Sequence, residues 1–181
     1  MIKHLIFIAS LMALSVGCKK ESSTPTSGEI NLSSQKFGTQ TFYVFGFSVS
    51  TGSLVQFSLG SVTQTPDWVL EEILDISGKP VGANITTNPQ NTLAFSLNGT
   101  FSTNEEALAA FSVYKDATMP NPMDKISDIK PNQLYTYKDH SGKYIKFLIE
   151  GLEKKAGDSN SYYEATIRWV CQPDGTTHFS Q

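Results

Sequence analysis

The chain has 181 residues, with 14 basic against 17 acidic side chains and a formal net charge of −3. That balance argues against nucleic acid, which calls for a basic face. The length suits one domain with a real hydrophobic core plus a short appendage.

The first residues, MIKHLIFIASLMALSVGC, set a short basic start (Lys3, His4) before an apolar run from Leu5 to Val16. A membrane-spanning helix needs about 20 apolar residues, so this run is too short to span and fits the core of an export signal. Small residues lead into Cys18. The pattern resembles the lipobox of bacterial lipoproteins, with Ser15 three places before the cysteine and Leu14 one further back. The resemblance implies removal of residues 1–17 and acylation of Cys18 as the lipidation site. Each buried lipid methylene contributes about 0.8 kcal/mol, so two chains hold a protein without a transmembrane helix. The following KKESSTPTSGE is too polar to offset its own ordering entropy. It reads as a tether over 18–39, ahead of a domain over 40–181. Its lysines and glutamate also resemble the surface-export signals of Bacteroidetes lipoproteins, which implies an outer-membrane protein on the cell surface, with the periplasmic face as the alternative.

The domain reads as strands. TFYVFGFSV (41–49) is aromatic and β-branched, and Gly46 inside it signals a bulge or a close backbone approach. Thr51-Gly52 turns the chain into a second strand over 54–59. The apolar residues of 68–76 fit neither helical nor strand period cleanly, and the turn-like flanks favour strand. Ser77-Gly78-Lys79-Pro80 is a turn, and 91–97 another strand ended by Asn98-Gly99. Thr103-Asn-Glu-Glu106 is a capping box followed by an alanine-rich run, which predicts a helix over 104–113. Residues 116–133 carry three prolines and little periodicity, and read as a long loop. Strands over 134–138 and 143–150 flank the tight turn Asp139–Gly142. A polar connection over 151–161 leads to a last strand over 162–171. In that strand Tyr163, Ala165, Ile167, Trp169 and Cys171 share one face. Cys171 is therefore expected to be a small buried apolar residue. The fold class is mostly β, a single antiparallel domain with one or two short helices.

Enzyme signatures such as GxSxG, HExxH and the phosphate-binding loop are missing from the sequence. Beyond the export signal the histidines are His140, in a hairpin turn, and His178, near the chain end where fraying is expected. Glu71-Glu72 and Glu105-Glu106 read as solvated faces rather than an opposed glycosidase pair. No catalytic set and no dedicated metal site are expected, and the protein is read as a binder rather than an enzyme. Met119 and Met123 are the methionines of the domain, both in Thr-Met-Pro-Asn-Pro-Met-Asp. Thioethers anchor loops against cores, and they also ligate haem iron. On spacing alone the anchor is the better reading.

Three stretches resemble the HmuY family of haem-binding lipoproteins, haemophores of Bacteroidetes. They are FYVFGFSVSTGSLVQF (Phe42–Phe57), Pro66-Asp-Trp-Val-Leu70, and KPNQLYTYKDHSGKYIKFLIEGL (Lys130–Leu152) followed by YYEATIRWVCQ. Val69 stands where the family carries an acidic residue. The resemblance implies a β-rich domain (an HmuY-like meander or sandwich) holding haem between loops at one end, for iron acquisition through a TonB-dependent outer-membrane receptor. It implies Met119 and Met123 as iron ligands, His140 as a reserve ligand, and Lys115 or Lys125 near the propionates. The alternative is a lipid-anchored β-rich module that binds protein or glycan and has lost haem.

Overall fold

The computed structural model of the chain describes residues 26–37, 44–57, 65–157 and 160–179. In chain order the elements are β1 (Ser27–Ser33), β2 (Val44–Ser48), β3 (Ser53–Phe57), β4 (Trp68–Leu74), β5 (Pro80–Thr87) and β6 (Phe95–Thr100). Then come α1 (Asn104–Val113), β7 (Lys125–Ile126), β8 (Gln133–Lys138), β9 (Tyr144–Lys155) and β10 (Tyr162–Gln172). The strands form two five-stranded sheets in the orders β1-β10-β9-β8-β6 and β3-β2-β4-β5-β7, every neighbouring pair antiparallel. The expected mostly β domain is what the chain forms.

Period-two alternation explains the core. Ile145, Phe147 and Ile149 of β9, Tyr135 and Tyr137 of β8, and Ala165, Ile167 and Trp169 of β10 are all buried in one cluster. Phe47, Trp68, Leu70 and Ile85 meet them from the other sheet. The rings interlock: Trp68 lies 4.9 Å from Phe47, 4.5 Å from Phe147 and 5.9 Å from Tyr137, centroid to centroid. Each buried ring contributes about 2–3 kcal/mol by area, and each such pair about 1 kcal/mol more. Cys171 sits at the end of this face, buried as expected, and burial pushes its thiol up to about 11. Gly46 keeps normal register opposite Val55, so it is no bulge. It is a close approach: a Cβ there would meet Pro66 Cβ at 2.4 Å.

The structure corrects several boundaries. Within the stretch expected as a tether, 18–39, Ser27–Ser33 is instead a strand paired with β10, and Leu32 is wholly buried. That segment is too polar to order alone, and the open edge of β10 supplies the hydrogen bonds that order it. β5 is a strand the sequence analysis does not predict; it lies between β4 and β7 and turns Ala83 and Ile85 into the core. The strand expected over 91–97 is Phe95–Thr100 instead, with 88–94 as a turn, and it passes through Asn98-Gly99 by a register shift. β9 extends through the expected polar connection to Lys155. His178 is not frayed: it bridges Asp116 in backbone pairing, and its Nδ1 lies 2.9 Å from Asp116 Oδ1. Residues 41–43 and 58–59 of the expected strands lie outside the described residues.

Helix α1 begins with the expected capping box on Thr103 and Glu106. Ala107 and Phe111, four apart on one face, bury against Leu134 and Leu148 on the outer side of the first sheet. Beneath the end of the helix lies Lys146, wholly buried on β9. Its ammonium donates to the carbonyls of Phe111 and Tyr114, each at 2.8 Å. Those carbonyls belong to the helix C-terminus, where partners are lacking and a cation is favoured. The rings of Phe111 and Phe179 cover it, the nitrogen 4.7 and 5.4 Å from their centroids. Burial first, and Lys115 second, lower its pKa to about 8.

The sign of the resulting pH effect follows. The unfolded lysine holds its proton to about 10.5, the folded one only to about 8. Between these values the unfolded state binds more protons, so this group makes stability rise with pH. Cys171 and the buried Tyr135 and Tyr137, whose pKa values are raised, act in the opposite sense. Urea midpoints of the parent and of Lys146→Met therefore isolate the lysine. At pH 7 the variant is expected to lose about 2 kcal/mol, since two carbonyls lose their donor. From pH 8 to 10 the gap between the two proteins is expected to widen, and a constant gap would show that Lys146 does not titrate there.

Candidate functional site

The strand register sorts the loops to two poles. At one, Cys171 N donates to Thr26 O at 2.7 Å, which places the start of β1 beside the end of β10. The β8–β9 turn, the start of β4 and the end of β5 gather at the same pole, joined through Tyr137. Its hydroxyl receives Asn91 Nδ2 at 2.9 Å and lies 3.3 Å from Thr87 Oγ1. At the other pole is the β4–β5 turn, where Lys154 Nζ donates to Pro80 O at 2.6 Å.

The two poles carry the same turn. Asp75-Ile-Ser-Gly-Lys79 and Asp139-His-Ser-Gly-Lys143 share a pattern that the sequence reading passed over. In each, the aspartate Oδ1 accepts from the amides two and four residues on, at 2.8 and 2.9 Å for Asp75 and 2.8 Å twice for Asp139. Glycine at φ 80° or 89° closes the turn. This geometry holds His140 at an exposed tip.

Two adjoining clefts open at the Thr26 pole. One, about 270 Å³, is lined by Pro66, Asp67, Gln90, Tyr137 and His140. The other, about 580 Å³, is lined by Pro89, Thr92, Met123, Asp124 and Lys125. Thr87, Asn88 and Asn91 wall both. The rim is strained: Leu93 takes φ 51°, a left-handed conformation costly for a branched residue, and its amide donates to Asp124 Oδ1 at 2.6 Å. Its side chain is 55% exposed, an apolar group presented beside the larger cleft.

The expected site residues divide. Met123, Lys125 and His140 come together at this pole. Met123 is half-buried against the core, its backbone paired with Phe95 at 2.8 and 3.0 Å, so it anchors the loop and also lines the cleft. Met119 lies outside both clefts. Its neighbour Thr118 is held by Asn98 and Tyr114 on the helix side of β6. Lys115 also sits at the helix end, its carbonyl accepting from Phe179 N at 2.7 Å. The proposed pairing of Met119 with Met123 is therefore not displayed on one cleft wall. Cys18 lies outside the described residues. Among the described residues no group of three or more His, Cys, Asp or Glu could hold a metal ion, and no helix is long and apolar enough to cross a membrane.

The sequence reading missed Asp67, Asn88, Asn91 and Tyr137. The run Thr-Asn-Pro-Gln-Asn over 87–91 carried the signal, being a turn composition rather than a strand start. A scan against protein-family models finds none that matches, and a search of the curated proteins finds no match.

Asp67 is half-buried on the smaller cleft, its Oδ2 accepting from Val49 N at 2.7 Å. Burial raises its pKa above 3.8, and Asp139 adds to the rise. The folded protein then keeps this proton to higher pH than the unfolded chain does. Stability falls as pH climbs from 3.8 through the folded value. Asp67→Asn keeps an acceptor for Val49. Thermal melts over acid to neutral pH are expected to show a shallower fall for the variant, with no loss at pH 7; identical slopes would count against the burial.

Proposed function

We propose that the chain is a lipid-anchored, cell-surface haem-binding protein of an iron-acquisition system, with its ligand seated at the Thr26 pole. One observation carries this reading: Met123 and Lys125 line one cleft, His140 lines its neighbour, and the two share Thr87, Asn88 and Asn91. A thioether and an imidazole are both donors to haem iron. Lys125, exposed in β7, supplies a cation for a propionate. Met123 supplies an apolar contact in the larger cleft, and Leu93, next in sequence to its wall residue Thr92, is exposed. The donor set fits the group chemically, with His140 moved from reserve to principal candidate and Met119 and Lys115 moved out. The membrane is reached through acylated Cys18, and a TonB-dependent outer-membrane receptor would take the haem onward. No residue is given a catalytic role.

A second reading draws on the same walls. Asn88, Gln90 and Asn91 with Thr65 and Thr87 form a run of amides and hydroxyls that suits sugar hydroxyls. This is the glycan-binding module that has lost haem.

Haemin titration of residues 19–181, read by absorbance in oxidised and reduced states, separates the two. A saturable Soret shift is expected. It should weaken by about tenfold or more with Met123→Ala or His140→Ala, and stay unchanged with Met119→Ala. No shift in either redox state would end the haem reading and leave the glycan one.

A further inference from the structure

We infer that the pole bearing the β4–β5 turn is a self-association surface: the turn of one copy plugs an apolar cleft on a second copy, and is received by the first in return. This goes beyond the proposed function and does not depend on any ligand at the Thr26 pole.

The cleft follows from the way the second sheet parts. Among the described residues β2 and β4 are in register at one pair, Phe47 and Trp68. Toward the β4–β5 turn from that pair lies a cleft of about 250 Å³, with Val44, Phe57, Val69, Leu70 and Leu74 in its walls. Its apolar lining contrasts with the amides and hydroxyls of the two clefts at the Thr26 pole. The plug is next to it in sequence. Ile76, two residues beyond Leu74, is fully exposed on the turn, and Leu74 and Val81 on its flanks are more than half exposed. The Asp75 carboxylate already holds the turn by accepting from Ser77 N and Lys79 N, so docking costs little conformational freedom. Large apolar side chains grouped in water on a rigid turn mark a contact site.

Charge selects the occupant. Lys79 on the turn and Glu71 at the cleft are both exposed, and neither forms an ion pair among the described residues. Lys154, whose Nζ donates to Pro80 O at 2.6 Å, adds a second cation at the base of the turn. At the cleft Glu71 and Glu72 face a single Lys36. A turn that enters this cleft therefore brings cations to carboxylates, whereas the same carboxylates disfavour an anionic lipid surface. Plug and cleft on one chain, with opposite charges, close under a two-fold axis, and each contact is then made twice. The surface is small, which places the pairing in the transient, micromolar class.

Sedimentation velocity of residues 19–181 at low salt, from about 1 to about 500 µM, tests this. The parent is expected to associate as concentration rises, and Ile76→Ser to stay monomeric. Glu71→Lys and Lys79→Glu are each expected to weaken association about tenfold, because like charges then meet at both contacts. Both substitutions are on exposed side chains, and thermal melts check that each variant is folded. An equimolar mixture of these two variants brings opposite charges together at both contacts again, so it is expected to associate as the parent does. A parent that is monomeric at every concentration, an Ile76→Ser protein that still associates, or a mixture no better than its separate components overturns the inference. Flotation of the parent but not of Ile76→Ser with phosphatidylcholine vesicles, with the parent monomeric in solution, assigns the turn to lipid and overturns it as well.

Discussion

Two open sheets stacked face to face leave a seam along each side, and unpaired strand edges there would admit water or another chain. On one side the run 123–129 closes that seam. Met123 pairs with Phe95 at the edge of the first sheet. Lys125 and Ile126 pair with Thr86 and Ile85 at the edge of the second. Ile129 then donates to Ala83 O at 2.9 Å, and both isoleucines are buried. This crossing fixes the spacing of the sheets at the Thr26 pole. Asp124, set by it, holds Leu93 in its strained conformation, and Met123 and Lys125 become walls of a cleft. The candidate site is therefore made of the same residues that close the sandwich.

The remaining stability devices lie on the outer face of the first sheet. A buried lysine there answers the helix C-terminus, where dipole and unpaired carbonyls both favour a cation. The chain end completes the cover: Phe179 N donates to Lys115 O at 2.7 Å, Ala117 N donates to Thr177 O at 2.7 Å, and the Phe179 ring is wholly buried. These further devices are in this way separated from the candidate site, the one set on the helix face and the other at a pole. Met119 and Lys115 belong with the first. Although they precede Met123 and Lys125 by only four and ten residues, they lie on a different surface.

The parts of the fold legible in the sequence were those where a local rule decides. The capping box at Thr103 and Glu106 fixed the start of α1, and alternation in 163–171 named the buried face of β10 correctly. What escaped was set by partners distant in sequence. Ser27–Ser33 is ordered by β10, 131 to 143 positions later, and its one local signal is the short alternation of Ile30 and Leu32 among polar residues. β5 gains its place from β4 and β7 rather than from its own propensity. The same limit applied to the site. His140 and Met123 could be nominated by residue type, yet only the register of β8, β5 and β6 puts them at one pole. Asn91 and Tyr137, 46 positions apart, meet solely through that register.

The central claim is that ligand binding belongs to the pole bearing Thr87–Asn91, Met123 and His140. Backbone amide NMR of residues 19–181 with substoichiometric ferric haemin tests it most directly, because the paramagnetic iron broadens nearby signals. The account expects broadening at 65–67, 87–93, 123–125 and 139–142, with 75–81 and 104–113 left sharp. Broadening centred on the β4–β5 turn or on α1, or spread evenly over the domain, would contradict it.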